Sequence, residues 1–324
     1  MIKRDQLAHI KAERDLLALS ENCAWIVQLY FSFQDPTFLF LIMEYLPGGD
    51  LMSLLIKEDI FSEETTRFYL SELILAIDFV HSLDFIHRDI KPDNVLIDRD
   101  GHLKLTDFGL ATGLHKTHES EYWSSTIKEN RVVEKVSLLS SKQKAASWKK
   151  NRRQMAFSTV GTPDYIAPEV FTGKGYGKQC DLWSLGAIMF ECLCGFAPFC
   201  SDSAQETYLK VTQYQTYLQI PEDVYISPEA EAVIFGLMCD AENRMTIAQL
   251  KTNKFFGDVD FTQIRQTKAP HVPELDSMTD TRHFNVDEIV IDDDDDQYVV
   301  EHKDLAFVGF TFKRFDYLTV KNVL

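Results

Sequence analysis

Long apolar runs are missing from this 324-residue chain. The densest, Phe38 to Met43, ends after six residues, well short of the roughly 20 that a membrane-spanning helix needs. The first residues do not read as a secretory leader. Met1-Ile2-Lys3-Arg4-Asp5-Gln6 has no apolar core and reads as the start of an amphipathic helix. The six cysteines (Cys23, Cys180, Cys192, Cys194, Cys200 and Cys239) form no C-x-x-C pair and sit mostly among apolar neighbours. That argues against a disulfide framework or a zinc site and for reduced, buried thiols. The expectation is an intracellular, cytoplasmic protein.

Positive charge is also scarce, with 33 Lys and Arg against 50 Asp and Glu, a net charge of −17. Such a surface does not favour nucleic acid and would attract basic peptides. The scarcity is uneven. Lys128 to Arg153 holds nine basic and two acidic residues, a local +7 that leaves −24 for the rest. Within it, Lys149-Lys150-Asn151-Arg152-Arg153 also admits a nuclear-localisation reading.

No internal repeat is present. Ile2, Leu7, Ile10, Leu16, Leu17 and Leu19 approximate helical spacing. Ile26–Gln34 and Phe38–Glu44 read as strands around an Asp35-Pro36 turn. Ser62-Glu63-Glu64 caps a long helix to about Ser82. Short strands at 95–97 and 103–105 flank the turn Asp98-Arg99-Asp100-Gly101, and from Asp181 onward the pattern is mostly helical. Asp292 to Asp296, five carboxylates in a row, should be an unstructured linker. A few strands followed by many helices predict an α+β protein in two lobes.

The chemistry is concentrated in His87-Arg88-Asp89-Ile90-Lys91-Pro92-Asp93-Asn94 and Asp107-Phe108-Gly109. Phosphoryl transfer needs an acceptor for a hydroxyl proton, metal ligands and positive charge on the phosphates. Asp89 supplies the acceptor and Lys91 can reach the transferring phosphate. Asn94 and Asp107, the latter 18 residues beyond Asp89, can bind magnesium. H-R-D-x-K-x-x-N followed by D-F-G across two short strands is a specific combination, whereas D-F-G alone is weak.

These motifs resemble the eukaryotic protein kinases, and the likeness runs over nearly the whole chain. Ala167-Pro168-Glu169 fits the family's A-P-E element and Asp181-Leu182-Trp183-Ser184-Leu185-Gly186 its D-x-W-S-x-G helix. The resemblance implies that Asp181 braces the catalytic loop, that Arg244 is the buried partner of Glu169, and that Glu44-Tyr45-Leu46 is the hinge binding adenine, with Met43 at the back. Asp50 would contact the ribose or merely cap a helix. His87 would pack against the D-F-G turn. Lys91 and Gly161-Thr162-Pro163-Asp164-Tyr165 resemble serine/threonine kinases.

Three features resemble the NDR/LATS branch of the AGC group. They are Ala12-Glu13-Arg14-Asp15 with Phe31-Ser32-Phe33-Gln34-Asp35, the 62 residues from Asp107 to Glu169 that hold the basic insert, and Phe307 to Phe315, similar to a hydrophobic motif. The branch implies phosphorylation at Ser158 and at Thr311, the latter by an upstream kinase. A phosphate on Ser158 would pair with Arg88. It implies an insert (Lys142, Lys144, Lys149, Lys150, Arg152, Arg153) that inhibits, although a solvated basic helix is the simpler reading. It further implies ATP and Mg2+ as cofactors and protein substrates phosphorylated on Ser/Thr near basic residues. Signalling for growth or morphogenesis and a Mob-type coactivator complete what it implies.

The expected organisation is a partial small lobe (1–46), a large lobe (47–256) with the insert at 115–155, and a C-terminal extension (257–324) with acidic linker and hydrophobic motif. The family's Gly-rich loop and lysine strand are not found ahead of Glu13, the helix glutamate that should pair with that lysine, nor is the Mob-binding segment. The expectation is therefore an incomplete small lobe with an unpaired sheet edge, and a chain that alone binds ATP weakly. A second reading is a noncatalytic short form that competes for binding partners.

Overall fold

The computed structural model describes residues 4–35, 38–113, 140–155, 163–171, 175–201, 203–284 and 309–314. Helix α1 (Arg4–Leu19) comes first and buries Leu16 and Leu17. Strands β1 (Leu29–Gln34) and β2 (Leu39–Met43) pair antiparallel in the register Phe33 to Phe40, whose rings stack at 4.8 Å between centroids. The strand expected from Ile26 begins later. Ile26 instead bridges to Leu105, so that long-range pairing overrides local β-propensity.

Helix α2 (Leu51–Glu58) is capped by Asp50, whose carboxylate accepts from Ser53 N. Helix α3 (Glu63–Ser82) starts at Ser62, whose hydroxyl accepts from Thr65 N, and buries Leu70, Leu73, Ile74 and Ile77 at helical spacing. Strand β3 (Phe85–Ile86) pairs with β6 (Thr112–Gly113), and β4 (Val95–Ile97) with β5 (Leu103–Leu105). The basic insert contributes α4 (Ser141–Met155), followed by the short α5 (Pro168–Phe171). Helix α6 (Gln179–Cys194) is buried at every position from Cys180 to Cys194 and ends on Gly195 in the left-handed region. Helices α7 (Ala204–Thr212), α8 (Tyr214–Tyr217), α9 (Pro228–Leu237) and α10 (Ile247–Lys251) follow, and α9 packs against α6.

An unpaired sheet edge is expected from the sequence, and the side beside β1 is covered from the tail. Strand β7 (Phe312–Lys313) pairs with β1 antiparallel, giving the order β2-β1-β7. Among the described residues the open edge is therefore that of β2, where Phe38, Ile42 and Met43 are exposed. Residues beyond 257 bond back onto earlier segments. Arg265 donates to Leu103 O at 2.8 Å and to Asp98 Oδ2 at 2.7 Å, and the Tyr45 hydroxyl donates to Asp280 O at 2.6 Å. The linker around Asp292–Asp296 lies outside the described residues.

Helix α6 touches α9 where no side chain intervenes. A Cβ at Gly186 would lie 2.8 Å from both Leu237 Cβ and Met238 Cγ. Gly186→Val is expected to destabilise the chain by about 1–3 kcal/mol through overpacking, read as a lower urea midpoint at unchanged m-value.

Candidate active site

The loop around Asp89 is held from below by one buried carboxylate. Asp181 Oδ2 accepts from His87 N at 3.0 Å and Oδ1 from Arg88 N at 2.8 Å, while His81 Nε2 lies 2.8 Å from Oδ2. Burial pushes the Asp181 carboxyl up. The His81 hydrogen bond and charge, with His87 and the Arg88 N–H, outweigh that and hold it below the usual range. These bonds keep Arg88 at φ 73°, a left-handed conformation that costs a non-glycine residue energy. His87 donates from Nε2 to Thr106 O at 3.1 Å and packs on Phe108, so it orients the D-F-G turn.

Above this brace, Lys91 Nζ donates to Asp89 Oδ2 at 2.7 Å and Asn94 Nδ2 to the same oxygen at 3.0 Å. Asn94 Nδ2 also donates to Asp89 O at 2.9 Å. With its nitrogen so engaged, Asn94 has its amide oxygen left to offer a cation. Asp107 is exposed, sits at φ 59°, and accepts from Gly109 N at 3.3 Å. An amide oxygen and a carboxylate are the hard, sparse donor set that suits Mg2+, which keeps waters and phosphate oxygens as its other ligands. Among the described residues no group of three or more His, Cys, Asp or Glu is placed to form an all-protein cage.

Residues 44–46, expected to bind adenine, follow β2. Glu44 N donates to Gln28 O at 2.9 Å, and Glu44 Oε1 accepts from Gln28 N at 2.8 Å and Lys104 Nζ at 2.5 Å. Leu46 is buried and Met43 exposed at the end of β2. Asp50 behaves as the helix cap. Glu13 on α1 faces the D-F-G turn: a Cβ on Gly109 would sit 3.8 Å from Glu13 Oε2 and 3.3 Å from Asp107 Oδ1. Arg244, itself buried, donates bidentately to Glu169 at 2.7 and 3.2 Å and to the carbonyls of Gln179 and Cys239. Ser158 lies outside the described residues, and Thr311 is exposed just before β7. Arg88 donates to Leu110 O at 3.2 Å, and its guanidinium lies 5.2 Å from the Tyr176 ring centroid.

The sequence reading missed one group of residues. Helix α4 buries Trp148 against Met52, Leu55 and Gly195, and its indole N–H donates to Glu191 Oε1 at 2.8 Å. The other oxygen of Glu191 accepts from the Tyr165 hydroxyl. Ser141, at the start of α4, donates from both N and Oγ to Asp223. A lone tryptophan inside a run of lysines and arginines was the available signal, since a solvated helix has no use for one.

Residues 1–256 match the protein kinase domain family. Serine/threonine-protein kinase CBK1 of Pneumocystis carinii is 52% identical over the whole chain, which covers 68% of that protein. CBK1 of Saccharomyces cerevisiae is 48% identical over the whole chain and 49% of its own length. Serine/threonine-protein kinase cot-1 of Neurospora crassa is 47% identical over 98% of the chain and 58% of its own length. The chain belongs to the protein kinase family, and within it to the NDR/LATS type of the AGC group. That family uses ATP, typically with Mg2+, and acts on proteins. The chain spans between about half and two thirds of the length of these relatives. No helix among the described residues is long and apolar enough to cross a membrane.

Burial, and then the charge of Asp107, raise the Glu13 carboxyl from 4.5 to about 7. The folded chain therefore holds a proton that the unfolded chain has lost between those values, and stability falls as pH rises through that window. Glu13→Gln is expected to flatten this slope. Between pH 5 and pH 8 the wild type should lose about 1–2 kcal/mol more than the variant, after discounting about 1.4 kcal/mol per pKa unit for partial exposure. Denaturant midpoints at the two pH values measure it.

Proposed function

We propose that this protein transfers the γ-phosphate of ATP, bound with Mg2+, to serine or threonine hydroxyls of protein substrates that carry nearby basic residues. The observation that carries this reading is the convergence on one Asp89 oxygen of Lys91 and Asn94, both within 3.0 Å. Such a carboxylate is fixed in position and able to align an incoming hydroxyl, while Lys91 stays within reach of the transferring phosphate. Asn94 and Asp107 would hold the metal, and the Glu44–Leu46 backbone would take the adenine. Asp181, Arg244 and Glu169 would keep the loop and the substrate segment in register, and Glu13 would pair with a phosphate-binding lysine. The organisation that goes with this reading is a small lobe to residue 46, a large lobe to 256 and a C-terminal extension. A Mob-type coactivator and an upstream kinase acting on Thr311 would belong to its regulation, with phosphorylated Ser158 pairing with Arg88. Its setting would be intracellular signalling for growth or morphogenesis.

Phosphate transfer from ATP to a basic serine peptide by the full-length protein should fall about 10²–10⁴-fold in Asp89→Asn. Full turnover by that variant would sink the reading.

The insert supports an inhibitory role for α4. Its buried Trp148 and the Tyr165 hydroxyl share Glu191, which ties the helix to the segment just ahead of Glu169. Trp148→Ala should release α4, raising kcat/KM for the basic peptide about tenfold, the equivalent of 1.4 kcal/mol of latch. Unchanged kcat/KM together with unchanged tryptic cleavage within 142–153 would show that α4 does not restrain the site.

A further inference from the structure

A line of hydrogen bonds runs from the C-terminal tail to the strand that leads to the D-F-G aspartate. Arg314 spreads its guanidinium over the loop between α1 and β1. Its two terminal nitrogens donate to Gln28 Oε1 at 2.7 Å and Asn22 Oδ1 at 2.8 Å, and Nε lies 3.6 Å from Glu21 Oε1. The Arg314 N–H donates to Tyr30 O at 3.0 Å, continuing the β7–β1 pairing.

Gln28 is the node this fork grips. It is 8% exposed. Its Nε2 donates to the carbonyls of Cys23 at 2.8 Å and Ile26 at 2.9 Å, folding the loop back on itself. Through its backbone Gln28 exchanges two bonds with Glu44, giving its N–H to Glu44 Oε1 and taking the Glu44 N–H on its carbonyl. Glu44 Oε1 also accepts from Lys104, three residues before Asp107. The same loop clasps β5 directly, with Val27 N donating to Leu105 O at 3.1 Å and Leu105 N to Trp25 O at 2.8 Å.

Without Arg314, Gln28 Oε1 keeps only the Asn22 N–H at 3.3 Å. A buried amide oxygen left with one long bond carries a desolvation penalty, and the side chain gains by turning toward water. Turning would give up the Cys23 and Ile26 carbonyls that set the loop. Asn22, at φ 63°, would lose its second tether as well. Lysine cannot replace the fork, because one ammonium does not span two acceptors in a fixed plane.

We propose that Arg314 is a positioning residue through which docking of tail segment 309–314 fixes loop 20–28, and with it Glu44 and the β5 strand leading to Asp107. Thr311 is exposed three residues upstream, so a modification there would act on the segment whose far end is this fork. The meaning for catalysis rests on the kinase reading above. The coupling itself does not.

Residue-resolved amide exchange on the full-length protein tests it. Arg314→Ala should speed exchange at Gln28, Glu44 and Leu105 about tenfold, since these amides are protected by the loop rather than by the tail. Arg314→Lys should fall between. Arg14→Ala is the control: Arg14 also ties the tail down, donating to Gly309 O at 2.9 Å with its guanidinium 5.9 Å from the Phe310 ring centroid, but it lies off the Gln28 line. It should leave the three amides unchanged. The proposal is overturned if Arg314→Ala affects only residues 309–314, if Arg14→Ala has the same reach, or if exchange also rises across residues 182–190 of α6. The kinase reading would fail separately, by phosphate transfer persisting in Asp89→Asn, because the exchange pattern needs no turnover.

Discussion

A single carboxylate, that of Asp181, sets the position of the loop around Asp89. It is fully buried, and both oxygens are taken by backbone N–H groups of residues 87 and 88 and by His81. Burying such a charge is expensive unless every lone pair is used, and breaking a buried pair costs about 3–5 kcal/mol. The loop therefore has little freedom beneath Asp89. Its strained Arg88 and the oriented His87 are both consequences of where Asp181 sits.

Helix α6 repeats this device along its length. It is apolar and enclosed almost throughout, yet three of its polar side chains reach outward to functional segments. Asp181 holds the catalytic loop, the Ser184 hydroxyl donates to Tyr165 O at 2.8 Å, and Glu191 takes both the Tyr165 hydroxyl and the Trp148 indole. In a helix with no solvated face, a polar group costs free energy unless it is bonded. The sequence Asp181 to Glu191 thus positions the catalytic loop, the segment before Glu169 and the insert from one rigid rod.

Legibility followed chain distance. The Ser62 cap, the apolar spacing of α3 and the hairpin of β4 and β5 are local, and their residues announce them. The loop around Asp89 was legible because its chemistry demands a fixed order of residues. The β7–β1 pairing joins residues nearly 300 positions apart and has no local signature beyond an aromatic stretch. Trp148 in its pocket and Arg314 on Gln28 were hidden for the same reason, since each partner looks ordinary by itself. The covering of β1 was not legible because the strand that covers it is two residues long and comes from the tail.

The two halves of the site consequently differ in how firmly they are built. Beneath Asp89 the bonds are made inside the buried core, to Asp181 on α6. Around Glu13, Glu44 and the loop at 20–28 they run through the buried Gln28 to a six-residue stretch of tail. Burial, and then the charge of Asp107, disfavour an ionised Glu13, so α1 gains by a positive charge arriving there. Control exerted on such a molecule will fall on this upper half, because small free-energy changes move it while the core beneath stays fixed.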